Sequence, residues 1–215
     1  MTTPVLYDYW RSSASYRVRI TLNLKGIDVT LDPVNLLTMA HKAPAHLARN
    51  PQGLVPALAI DGMMLTQSLS IIEYLDETRP EPPLLPADAV GRQRVRALAH
   101  VIAMDIHPVC NMSVVARAAD LAGGAEQAKA EWMSHFIARG LAAYETMLRH
   151  SATGLFCHGD APTMADCCLV PQAYNARRWN VPLPPTIDRI VAHCEDLEPF
   201  RRAHPDQIGP PPEAD

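Results

Sequence analysis

Serine and arginine crowd the stretch YWRSSASYRVRI, residues 9–20, directly after an apolar run that reads as the first strand of the chain. Ser12, Ser13 and Ser15 fall before or within the first turn of the helix that follows. Exposed amides and the positive end of the helix dipole stabilise an anion at such a place. One serine is enough for an N-cap, so three of them flanked by Arg11 and Arg17 exceed what capping requires. The guest that suits this set is a carboxylate or a thiolate. A thiol with a reference pKa of about 8.5 becomes a nucleophilic anion near neutrality when a hydroxyl and a helix terminus hydrogen-bond it. The chain itself supplies no such thiol there, since Ala14 stands where a protein nucleophile could be.

Two other segments follow the same logic. In TQSLSIIEYL, Gln67 and Ser68 lie where a strand passes into a helix, and the Ser68 amide and hydroxyl could hold a carboxylate; taken alone, the pattern is also that of a plain N-cap. In GLVPAL, a cis bond before Pro56 would turn the Val55 backbone outward to pair with an extended ligand as an added strand. A trans bond at a strand edge is the commoner alternative.

The elements that position these residues can be read from periodicity. Residues 4–79 give the order β-α-β-α-β-β-α: PVLYDYW, a helix closed by Gly26, DVTLDPVNL, a polar segment from His41 to Asn50, VPALAI, MMLT and SLSIIEYLDET. Asp61-Gly62 is a two-residue hairpin signal, so the last two strands are antiparallel while the earlier crossover pair is parallel. The expectation is α/β, with a mixed four-stranded sheet. Pro80, Pro82, Pro83 and Pro86 form a stiff linker. Beyond it the chain reads as all-helical. Asp88 is a good N-cap, Val95, Leu98, Ile102 and Ile106 recur at helical spacing, and Pro108 should kink that long helix. Met133, Phe136, Ile137, Gly140, Tyr144, Met147 and Leu148 mark a second amphipathic helix. Thr163 and Asp166 read as a capping-box variant opening a short, buried helix. The domains are therefore 1–82, 88–208 and a polar, proline-rich tail at 209–215, with HPDQIGPPPEAD offering nothing to bury.

Composition narrows the function. With 215 residues, 48% of them hydrophobic, the chain can bury a substantial core, and its formal net charge of −4 gives no sequence-independent attraction to nucleic acid. No apolar run approaches membrane-spanning length, and MTTPVLYDYW lacks the features of a signal peptide, so no membrane partner and a cytoplasmic location are expected. Cys110, Cys157, Cys167, Cys168 and Cys194 are odd in number and hold no C-x-x-C pair, which argues against a disulfide framework or a zinc site.

Over nearly its whole length the chain resembles the zeta-class glutathione transferases. RSSASYRVRI is similar to that family's S-S-C-x-W-R-V-R-I, NPQGLVPAL and QSLSIIEYL to its glutathione-site segments, and GDAPTMADCCLVPQ with NARRWNV to its helical domain. Ala14 stands for the family's Cys, Tyr16 for its Trp. The fold this implies is a thioredoxin-like domain followed by an all-helical domain, and the implied cofactor is glutathione. The resemblance implies that Ser12 orients the glutathione sulfur, assisted by Ser13 and by the backbone through Ala14, Ser15, Tyr16 and Arg17. It further implies that Val55 pairs with the cysteinyl backbone, that Gln67 and Ser68 hold the γ-glutamyl end and that His41 lies near the glycyl end. HPVCNMS resembles the family's Q-P-L-Q-N-L-S stretch, with His107 in place of Gln, and implicates His107, Asn111, Met112 and Ser113. The implied activity is cis-trans isomerisation of a maleyl keto acid, maleylacetoacetate foremost, by thiolate addition, bond rotation and elimination. Such a substrate carries two carboxylates, for which Arg11 and Arg178 are the implied clamps, while Arg177 and the run Arg92, Arg94, Arg96 should face solvent. A homodimer is implied as well. Maleylpyruvate as substrate, attack on halogenated acids, and a non-catalytic glutathione-binding scaffold are the alternatives.

Overall fold

A computed structural model describes residues 3–124 and 126–210. The chain divides into two compact units, one formed by residues 1–83 together with 197–215, the other by 84–196. In the first unit, β1 (Val5–Asp8), α1 (Ser13–Leu24), β2 (Thr30–Pro33), a 3-10 turn (Ala40–Lys42), α2 (Pro44–Leu47), β3 (Ala57–Ile60), β4 (Met63–Thr66) and α3 (Ser68–Thr78) reproduce the order read from periodicity. The sheet runs β2-β1-β3-β4, with β1 parallel to β2 and antiparallel to β3, and β3 antiparallel to β4. Asp61 (φ 53°) and Gly62 (φ 76°) both adopt the left-handed conformation that a tight hairpin of this twist demands. Leu6, Leu58 and Ile60 from the sheet close on Val18 and Leu22 of α1 and Ile71 and Leu75 of α3, all buried.

Register fixes where function can sit. Tyr7 pairs with Ala57, and Ala57 with Thr66. The exit of β1 toward Ser12, the entry of β3 after Val55 and the exit of β4 toward Gln67 therefore lie at one end of the sheet.

The second unit holds α4 (Ala89–His100), a π-helical segment (Val101–Ile106), α5 (Met112–Leu121), α6 (Glu126–Met147), α7 (Met164–Arg178) and α8 (Pro185–Glu195). Asp88 accepts the Gly91 amide at 2.8 Å, as its N-cap reading requires. Val95, Leu98, Ile102 and Ile106 are buried. The irregularity expected at Pro108 begins upstream of it, where the His107 amide reaches back to the Ile102 carbonyl. The Asp166 carboxylate accepts the Thr163 amide, the Thr163 hydroxyl and the Cys157 amide at 2.7–2.8 Å, and the buried helix it opens is not short but runs 15 residues through Pro171.

Two expectations fail. The stretch HPDQIGPPPEAD is not without burial, since Pro205 at the start of α10 (Pro205–Ile208) is buried; α9 (Glu198–Ala203), which precedes that stretch and packs on α1 with Phe200 and Ala203 buried, groups with α10 in the first unit and not with the helical one. Of the 209–215 segment, residues 211–215 lie outside the described residues. Arg94 does not face solvent. It donates to the Cys157 carbonyl and the Thr153 hydroxyl, both at 2.7 Å, and so fastens the 149–160 loop onto α4.

Candidate active site

Ser12 precedes α1 in an extended conformation, and its Oγ accepts the Ser15 amide at 3.2 Å. A serine hydroxyl has one donor and two acceptor positions, so capping consumes acceptor capacity and leaves the O–H to be given to a ligand. The capping and anion-binding readings of Ser12 are thus compatible. Ser13 and Ala14 open the helix, where their amides have no intrahelical acceptor, and no acidic residue occupies the first turn. The Tyr16 amide, by contrast, already donates to the Ser12 carbonyl at 2.8 Å, so it is not available to a ligand. Ser15, Tyr16 and Arg17 are buried on the inner side of the helix, and Ser15 Oγ has no partner among the described residues. Arg11 lies with its guanidinium 4.3 Å from the centre of the Trp10 ring, its buried Nε also unpartnered. This helix start presents donors and cations, the chemistry that an anionic sulfur or carboxylate requires.

At the same end of the sheet, Ser68 opens α3 and Gln67 precedes it at φ 67°, a left-handed value that costs a non-glycine residue about 1–3 kcal/mol and marks a constrained position. Gln67 Nε2 donates to Gln52 Oε1 at 2.7 Å and so ties the start of α3 to the loop carrying Val55. The Val55–Pro56 bond is cis. His46 Nε2 and Asn50 Nδ2 each donate to the Leu54 carbonyl at 2.9 Å, and Lys42 Nζ reaches the carbonyls of Gln52 and Gly53. His41 stands on the 3-10 turn beside Lys42. Burial first, then the charges of Lys42 and His46, lower its imidazole pKa and keep it neutral near pH 7. Gln52, Lys42, His46 and Asn50 escaped the sequence reading because each acts on a backbone carbonyl or another side chain across a loop. Gln52 alone had a signal, as the polar centre of NPQGLVPAL.

In the helical unit, His107 ends the π segment, and Asn111 caps α5, its Oδ1 accepting the Ser113 amide at 3.0 Å and the Ser113 hydroxyl at 2.8 Å. Met112 and Ser113 are exposed, and the Trp132 indole donates to the Val109 carbonyl, holding this turn in place. Cys110, half-buried here, has its thiol pushed up to about 11 by burial. Arg178 is exposed on the last turn of α7, 6.0 Å from the Tyr174 ring, whereas its neighbour Arg177 is exposed but ion-paired with Glu195 at 2.6 Å.

Comparison with known proteins places this arrangement. Residues 6–83 match the family described as glutathione S-transferase, N-terminal domain, and residues 126–205 its C-terminal domain. The chain is 64% identical to the maleylacetoacetate isomerase of Rhizobium meliloti (strain 1021), over 96% of this chain and 98% of the relative. It is 46% identical to a maleylpyruvate isomerase from Ralstonia sp, over 93% of this chain and 96% of the relative. Among solved structures, a holo maleyl pyruvate isomerase described as a bacterial zeta-class glutathione S-transferase superposes with a TM-score of 0.93 at 45% identity, covering 98% of this chain and all of the other. The maleylacetoacetate isomerase of Anaeromyxobacter dehalogenans 2CP-1, with glutathione in its active site, gives 0.86 at 46% identity, covering 99% and 98%. The chain belongs to the glutathione S-transferase family, and within it to the zeta class.

Proposed function

We propose that the chain is a glutathione-dependent cis-trans isomerase of a maleyl keto acid, with maleylacetoacetate as substrate. The donor set at the start of α1 carries this reading: a Ser12 hydroxyl that accepts the Ser15 amide and has no acceptor for its hydrogen among the described residues, the leading amides of Ser13 and Ala14, and Arg11 beside them. These groups fit an anionic sulfur. Glutathione, when bound, supplies the thiolate that adds to the conjugated double bond and leaves after rotation.

The chain's own residues do the rest. Ser12 donates to the sulfur and lowers its proton affinity, and Ser13 and Ala14 add amide donors and the helix dipole. The Val55 backbone, Gln67, Ser68 and His41 hold the tripeptide by its main chain and carboxylates. His107, Asn111, Met112 and Ser113 are the contributions of the helical unit to ligand binding. Arg11 and Arg178 anchor the two carboxylates of the substrate, which fits guanidinium forks better than point charges. Support comes from the Rhizobium meliloti and Anaeromyxobacter dehalogenans relatives, both named maleylacetoacetate isomerase, the second with bound glutathione. Maleylpyruvate is the second reading, favoured by the holo neighbour with the TM-score of 0.93. The enzyme works in the cytoplasm, where its five free cysteines persist as thiols. It is a homodimer.

Turnover of the two maleyl keto acids with glutathione, compared in wild type and Ser12→Ala, tests the proposal. Loss of a hydrogen bond to a charged atom costs about 1.5–3 kcal/mol, so the variant should lose roughly tenfold to a hundredfold in kcat with far less change in glutathione affinity. Absence of turnover with either acid in the wild type would refute the isomerase reading. A higher kcat/KM for maleylpyruvate would select the second substrate.

A further inference from the structure

Arg19 lies about one turn of α1 beyond Ser15, has no access to solvent of consequence, and was not among the residues assigned a role above. Its side chain and that of Asp8 are each 3% exposed. Nη1 contacts both Asp8 carboxylate oxygens at 2.9 and 2.6 Å, Nη2 donates to the Trp10 carbonyl at 2.9 Å, and Nε donates to the Ala203 carbonyl at 3.0 Å. All three nitrogens are engaged, and they join three separate parts of the chain: the Asp8 carboxylate at the end of β1, the backbone of the loop that delivers Arg11 and Ser12, and the backbone at the end of α9. The same loop is closed from within by the Ser12 amide on the Tyr9 carbonyl at 2.8 Å. The guanidinium stands 5.4 Å from the Tyr16 ring centre, on the helix it shares with Ser12.

Desolvation makes a buried ion pair a weak source of net stability, and its better-attested use is to specify one geometry. Here the geometry specified is that of the Trp10 peptide, two residues before the hydroxyl proposed to bind sulfur. We propose that Arg19, fixed by Asp8, is a positioning residue for the Ser12 hydroxyl, and that the C-terminal segment at Ala203 completes its setting. The proposal rests on the sulfur-binding role of Ser12. The arginine reaches Asp8, Trp10 and Ala203 from three separate nitrogens of one planar fork; a lysine, with all its donors on a single atom, keeps the ion pair with Asp8 but releases the Trp10 loop.

The test is ultraviolet titration of the bound glutathione thiolate in Arg19→Lys, Asp8→Asn, Ser12→Ala and the Arg19→Lys/Ser12→Ala double variant, with kcat, KM for glutathione and thermal melting measured on each full-length protein. Arg19→Lys should raise the thiol pKa by about one unit and lower kcat about tenfold near neutral pH, with KM for glutathione changed less than threefold. In the Ser12→Ala background the same substitution should shift the titration no further, because the group it positions is gone. Asp8→Asn should shift it in the same direction by a smaller amount, and carries the test if Arg19→Lys does not fold. Unshifted titrations in both Arg19→Lys and Asp8→Asn, or equal shifts from Arg19→Lys with and without Ser12, would overturn the proposal and leave a purely structural ion pair. An unshifted titration in Ser12→Ala, with a shift in Arg19→Lys, would instead refute the role of Ser12.

Discussion

At His41 and Arg178, local charge sets what each residue proposed to bind ligand can do. The His41 imidazole is kept neutral near pH 7 by burial and by its neighbours Lys42 and His46. An anion bound beside it, such as a glycyl carboxylate, favours its protonated form, so glutathione binding should be accompanied by proton uptake that grows as the pH falls from neutral into the acid range. Calorimetry in two buffers of different ionisation enthalpy measures that uptake, and His41→Asn should abolish it; identical uptake in the variant would remove His41 from the site. Arg178 is exposed with no ion-pair partner among the described residues, unlike Arg177 beside it. A carboxylate clamp there predicts that isomerisation kcat/KM falls about tenfold in Arg178→Lys and about a hundredfold in Arg178→Ala, with glutathione binding held within about twofold. Unchanged isomerisation in Arg178→Ala would leave Arg11 as the only anchor.

At the scale of elements, the π segment before His107 depends on a glycine. A Cβ at Gly140 of α6 would overlap Cγ1 and Cδ1 of Ile106, so the absence of a side chain is what lets this wider turn pack against the helix. Gly140→Ala should therefore cost about 1–3 kcal/mol, visible as a melting temperature lower by roughly 3–10 °C. Trimming the obstacle, in Gly140→Ala/Ile106→Val, should recover part of the loss. A melting curve unchanged in the single variant would show that the segment adjusts freely. Gly140 was legible in the sequence only as a small residue on an apolar face; its reason is a neighbour 34 positions away in the chain.

For the molecule as a whole, apolar side chains remain uncovered in each unit. Met63 and Met64 on the edge strand β4 are 45% and 38% exposed, and Val90 at the start of α4 is 80% exposed. A second copy would cover such surfaces, and the homodimer proposed above predicts a sedimentation mass of twice the 23.6 kDa chain, shifting toward the single-chain mass in Val90→Arg. A single-chain mass for the wild type would rule it out.

The sequence alone determined what local chemistry can encode. Asp61-Gly62 set the hairpin, Asp88 and Thr163/Asp166 set helix starts, alternation gave the strand order, and the serines placed a helix start with spare donors after β1. Each depends on residues within a few positions of one another, whose preferences are expressed in almost any context. Tertiary structure alone decided which polar groups were already committed. That Ser12 Oγ accepts the Ser15 amide while the Tyr16 amide is consumed by the Ser12 carbonyl, that Arg94 reaches the Cys157 carbonyl, and that Arg19 joins Asp8, Trp10 and Ala203 could not be read from spacing. Nor could spacing show that Pro205 of the polar tail is buried, or that α9 just before that tail packs on α1, whose residues lie more than 170 positions earlier in the chain. Periodicity carries no information about a partner at that distance, and burial of a polar group is settled only when the partner that satisfies it arrives.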